Sequence, residues 1–145
     1  MLVITEPRLS VDEARLADRQ RDTVCLGWEE RRWNRRRLTT TGGREVALAL
    51  PTGSVLEPGA IIAVEAAWYL VVESRPEALL AIYPESQEQA VRIAFDVGNR
   101  HFTLAVEDDA LLVPDDLAMD QLVGRLGVCW ERRQAHYSPL GGDDD

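Results

Sequence analysis

A chain of 145 residues, 46% of them hydrophobic, has the size of one ordinary domain or two small ones and is too apolar to stay unfolded. Its sixteen basic residues, all arginine, face 25 acids, for a net charge of −9. No apolar run approaches the roughly 18 residues a membrane-spanning helix requires, and the opening does not read as a signal peptide, so a cytoplasmic protein without membrane attachment is expected.

The opening MLVIT is a short apolar run followed by charges, which reads as a strand. In DTVCLGW, Val24, Leu26 and Trp28 alternate with Thr23, Cys25 and Gly27, the period of a half-buried strand. RRRLTTT and REVALALP flank Gly42 and Gly43 and read as a hairpin, because adjacent glycines accept the positive φ of tight turns. PTGSVLEPG adds turn chemistry, and IIAVEAAWYLVVES supplies two more short strands. A small all-β domain over residues 1–74 is therefore expected, with Arg75-Pro76 at its boundary.

Beyond that boundary the rhythm changes. ALLAIYP reads as a strand; ESQEQAVRIAFDV then sets Ala90, Ile93, Ala94 and Val97 on one face of a helix. Glu85 and Glu88 suit that helix's N-terminus, and Gly98-Asn99 is expected to end it in a left-handed cap. HFTLAVE and ALLVP read as strands around a Glu107-Asp108-Asp109 turn. Pro114-Asp115-Asp116 opens a second helix with Met119, Leu122, Val123 and Leu126 on one stripe and Gly127 past its end; VCWERRQA closes as a strand. The fold class is α+β: a small N-terminal β domain, then a ferredoxin-like βαββαβ domain over 75–137, then a flexible acidic tail over 138–145. Cys25 and Cys129, each inside a strand-like segment, are expected to be buried free thiols rather than a metal or disulfide pair.

Charge follows the same division. Residues 1–75 hold eleven arginines against eleven acids, while residues 76–145 hold five against fourteen. An acidic half repels phosphate backbones and attracts cations. Neither HFTLAVE nor ALLAIYP carries the aromatic pattern of an RNA-recognition sheet, so no nucleic-acid partner is expected. In the run RRWNRRR, Arg31 to Arg37, alternate arginines of a strand line its solvent face, which is preferred over a nucleic-acid or acidic-partner patch. Trp28, Trp33 and Trp68 read as core or rim aromatics. No GxSxG, P-loop, GxGxxG or HExxH pattern occurs, and the chain is not expected to be an enzyme.

The chain owns two histidines, and one, His101, closes the stretch GNRH directly after the amphipathic helix. Together with WEERRWNRRRL, VALALPTGSVLEPG, RPEALLAI and VPDDLAMDQLVGRLGV in that order, it resembles the urease accessory protein E family of nickel metallochaperones over nearly the whole chain. The resemblance implies a homodimer joined through its second domain, with His101 of each subunit binding nickel, and zinc and copper as competing ions. It implies the other urease accessory proteins as partners, the GTPase especially, with apo-urease as recipient and the β domain as the docking half. Asp96 stands where many members have a further histidine, and Pro114-Asp115-Asp116 where some have one or two. SPLGGDDD replaces the histidine-rich tail of others, leaving His136 as either an auxiliary ligand or an exposed bystander, and Asp116 and Asp143–Asp145 as either oxygen donors or residues of a helix cap and a soluble tail. The rival expectation is a metal-independent adaptor or regulatory module working through the arginine-rich half.

Overall fold

The computed structural model describes residues 1–140. The chain forms two compact units, Met1–Arg75 and the remainder from Pro76. No helix among the described residues is long and apolar enough to cross a membrane.

The first unit is built from β1 (Leu2–Ile4), β2 (Gln20–Leu26), β3 (Arg35–Thr39), β4 (Glu45–Ala49), β5 (Ile61–Val64) and β6 (Trp68–Ser74). They make two three-stranded sheets, ordered β1-β4-β3 and β2-β6-β5. Strand alternation turns Ile4, Val46 and Leu48 of one sheet and Val24, Leu26, Leu70 and Val72 of the other into a single apolar core. The β3–β4 hairpin forms as expected, but its two glycines have different duties. Gly43 takes the positive φ, at 88°. Gly42 makes room, since a Cβ there would lie 2.9 Å from Asp22 Oδ2.

That close approach belongs to a buried carboxylate clamp. Asp22 of β2 accepts hydrogen bonds from Thr40 Oγ1 at 2.5 Å, the N–H groups of Thr23 and Gly42 at 2.8 Å, and the Arg44 guanidinium at 2.9 Å. It fastens the hairpin of one sheet to a strand of the other. Burial pushes its pKa up, but bonds from Thr40, Arg44, Gly42 and Thr23 outweigh this and hold it below the ordinary carboxylate range.

The second unit contains β7 (Glu77–Tyr83), α1 (Gln87–Asn99), β8 (Ala105–Glu107), β9 (Ala110–Pro114), α2 (Leu117–Leu126) and β10 (Cys129–Ala135). All neighbouring strands are antiparallel, in the order β10-β7-β9-β8 that a βαββαβ chain produces. Leu80 and Ile82 of β7, Val113 of β9, Ile93 and Val97 of α1, and Met119, Leu122 and Val123 of α2 form its core. Residues 138–140 follow β10 closely: Pro139 is buried, and the Leu140 N–H donates to Leu104 O at 2.7 Å. The terminal aspartates Asp143–Asp145 lie outside the described residues.

Two expectations require correction. Both cysteines are free, as expected, but exposed rather than buried. The period that buries Val24 and Leu26 necessarily turns Cys25 to the opposite face, where its thiol lies 3.6 Å from Glu73 Oε1. Cys129 likewise faces out, from a strand at the sheet's edge. Second, α1 does not stop in a left-handed Gly98-Asn99 cap, and the strand expected from His101 begins only at Ala105. The residue with positive φ is His101 itself, at 63°.

Candidate metal centre

Helix α1 starts where Ser86 caps it, accepting the Gln89 N–H at 3.1 Å, while Gln89 Oε1 accepts the Glu85 N–H at 2.6 Å. Two reciprocal bonds fix the helix's beginning. Its end is fixed with equal care. The His101 N–H donates to Gly98 O at 2.9 Å and the Phe102 N–H to Val97 O at 3.2 Å, the paired bonds of a Schellman cap. Glycine is the usual occupant of the left-handed position in that motif; a histidine there gives up about 1 kcal/mol in backbone strain.

The cap divides two side chains by direction. Phe102 packs against the core of the second unit. His101, one residue earlier, is exposed, and its imidazole makes no hydrogen bond or ion pair among the described residues. Both ring nitrogens are therefore open to a ligand. An imidazole buried against a backbone carbonyl, the structural alternative for this residue, is not what is found.

His136 follows β10 directly and is exposed. Next to it, Tyr137 is 1% exposed and shares a 2.8 Å hydrogen bond between its hydroxyl and Thr103 Oγ1. Since Thr103 lies two residues beyond His101, the segments carrying the two histidines are tied to each other. No group of three or more His, Cys, Asp or Glu side chains able to hold a metal ion occurs among the described residues. Asp116 caps α2, accepting the Ala118 N–H at 2.8 Å, and Asp96 lies partway up α1 with its carbonyl accepting from Arg100. One chain thus presents here an exposed His101 imidazole, with the exposed His136 on the tethered neighbouring segment.

One feature escaped the sequence. Besides the buried face of α1, Val91 and Phe95 form a second apolar stripe one turn apart, 63% and 71% exposed. They centre a shallow depression rimmed by Gln87, Glu88, Arg92 and Asp96. Gly98 continues the stripe toward the cap, and a Cβ there would meet nothing within 4 Å. The available signal was two apolar residues outside the stripe assigned to the core.

The family model for the UreE urease accessory protein N-terminal domain matches residues 5–74, and that for the C-terminal domain matches residues 77–145. The chain belongs to the UreE urease accessory protein family. A UreE from Synechococcus sp. (strain JA-3-3Ab) is 39% identical over 117 residues, covering 79% of this chain and 78% of that protein. The UreE of Deinococcus radiodurans is 37% identical over 118 residues, 80% of this chain and 76% of its own. That of Ralstonia nicotianae is 33% identical over 124 residues, 86% of this chain but 59% of its own. Both UreE domain models end and begin about where the two compact units meet.

Proposed function

We propose that this protein is a cytoplasmic nickel metallochaperone, a carrier rather than an enzyme, that delivers Ni²⁺ during assembly of the urease metal centre. The observation that carries this reading is His101: an exposed, unpartnered imidazole held at a left-handed helix cap that glycine would occupy more comfortably. Strain retained at one residue is a mark of use.

One imidazole does not hold a divalent ion on its own. A homodimer through the Val91–Phe95 face of α1 buries the exposed stripe and sets the two helix ends, each with its His101, about a common axis. Imidazole suits nickel, although zinc and copper compete for the same donors. Two histidines with remaining positions left to water or to His136 make a site that releases its ion more readily than a closed four-ligand cage. A carrier needs that weakness. The first unit is the docking half, engaging the other urease accessory proteins, the GTPase among them, and apo-urease.

Calorimetric titration tests the reading. The full chain should take up about one tightly bound Ni²⁺ per dimer, and His101→Ala should lose that uptake. Undiminished binding in the variant would refute the assignment.

A further inference from the structure

The arginine run has a structural setting that solvation alone does not explain. β3 is an edge strand, paired only with β4 among the described residues. The Leu50 N–H donates to Asn34 O at 2.8 Å and the Thr40 N–H to Arg44 O at 2.7 Å, which fixes the phase of the antiparallel ladder. Even-numbered residues of this strand therefore bond to β4, and Arg35, Arg37 and Thr39 turn their N–H and C=O groups to the open edge.

The side chains alternate with the same period of two. Leu38 points into the core, so Arg35 and Arg37 stand on the outer face beside the half-buried Ala47 and Ala49 of β4. Beyond them on β1 lies Val3, 54% exposed. Three other arginines of this unit pair with carboxylates, Arg21 with Glu73, Arg44 with Asp22 and Arg75 with Glu30, whereas Arg8, Arg15 and Arg19 do not among the described residues. Arg36 stacks on Trp33, its guanidinium carbon 3.6 Å from the ring centroid. Arg35 and Arg37 are exposed and have no carboxylate partner among the described residues. They are two guanidinium groups one strand repeat apart, each beside an unused backbone donor and acceptor.

We propose that the β3 edge receives an extended segment of a partner protein with carboxylates at alternate positions. Such a segment adds as a fourth strand, with main-chain bonds to Arg35 and Arg37 and its carboxylates opposite their guanidinium groups. Charged residues also discourage pairing with uncharged edges, so the same arginines exclude ordinary strands and select an acidic one. A nucleic-acid backbone has no peptide donors and acceptors with which to satisfy a strand ladder. The inference rests on the first unit being the docking half and is independent of nickel.

The test uses the full isotope-labelled chain and a short synthetic peptide alternating Glu and Thr. Expected is saturable binding with hydrogen exchange slowed at the Arg35 and Arg37 amides, weakened about tenfold or more in Arg35→Glu/Arg37→Glu. That variant should gain affinity for the matching Lys–Thr peptide, which a misfolded edge would not do, and keep its nickel uptake. Equal binding of both peptides, perturbation away from β3, or stronger binding of single-stranded oligothymidylate overturns the proposal. Equal capture of an accessory protein by wild-type and variant chains also overturns it, while leaving the docking role of the unit intact.

Discussion

The amide of Phe102 reaches back 3.2 Å to the carbonyl of Val97, and the residue enclosed by that bond is a histidine at φ 63°. Phe102 is drawn inward by the core, Val97 is fully buried, and His101 between them has only solvent to face. The anchoring of its neighbours, not any bond of its own, sets where the imidazole stands.

A consequence is that stability and metal binding should respond oppositely to one substitution. His101→Gly relieves the left-handed strain and should stabilise the second unit by about 0.5–1 kcal/mol, read as a raised thermal or denaturant midpoint. The same variant should lose nickel uptake in calorimetry. A histidine retained for folding would give the reverse sign in the melt.

The apolar stripe of α1 leads to a second expectation. Phe95→Asp changes a side chain that is 71% exposed in the single chain, so circular dichroism should hardly change, while the melting midpoint should fall only by what dimerisation contributes and lose its dependence on protein concentration. Sedimentation should instead show monomers where the unaltered chain gives dimers. Nickel affinity should fall about tenfold or more with the loss of the second imidazole. A Phe95→Asp protein that remains dimeric places the subunit contact elsewhere.

The Tyr137–Thr103 bond ties the segment after β10 to the link after α1. Tyr137→Phe keeps the buried ring and removes only the hydroxyl, leaving the Thr103 hydroxyl without this partner. A loss of about 1 kcal/mol is expected. Amide exchange should accelerate at Leu140, whose N–H bonds Leu104 O, before it accelerates in the β7 strand.

Much of this architecture was legible because each element of the second unit carries its own period. Ile93 and Val97 recur as a helix demands, and Gly127 takes the left-handed cap of α2 at φ 66° where it was expected. The α1 cap was misplaced because Gly98 and Asn99 tolerate positive φ, while the position is decided by Phe102 having to reach the core. Local tolerance does not reveal tertiary anchoring. Periodicity assigned the core stripe of α1 to Ala90, Ile93, Ala94 and Val97, which left Val91 and Phe95 outside it without showing that they line up as a second apolar stripe. Membership of a strand does not decide which face a cysteine takes: the alternation that places Val24 and Leu26 inside turns Cys25 out. Asp22 gave no sign of burial in the sequence. Its partners Thr40, Gly42 and Arg44 lie some twenty residues away and meet it only when the two sheets close.

That carboxylate carries the last prediction. Asp22 has a folded pKa depressed below its unfolded value, which is about 3.9 for a free aspartate. A depressed carboxylate contributes stability that is present above the unfolded value and is lost as pH falls through the folded one. The first unit should therefore weaken in acid, beginning near pH 4 and continuing below it. Asp22→Asn preserves the shape but replaces one acceptor oxygen by an NH2 donor, so either the Thr23 and Gly42 amides or the Thr40 hydroxyl and Arg44 guanidinium lose their acceptor, and the Arg44 charge is left unpaired. A loss of about 2–4 kcal/mol at neutral pH is expected, together with a flatter acid limb. Exchange of the β2 and β4 amides as a function of pH reports on this unit separately from the second. Equal acid sensitivity in the wild-type and Asp22→Asn chains would show that the clamp does not govern the acid response.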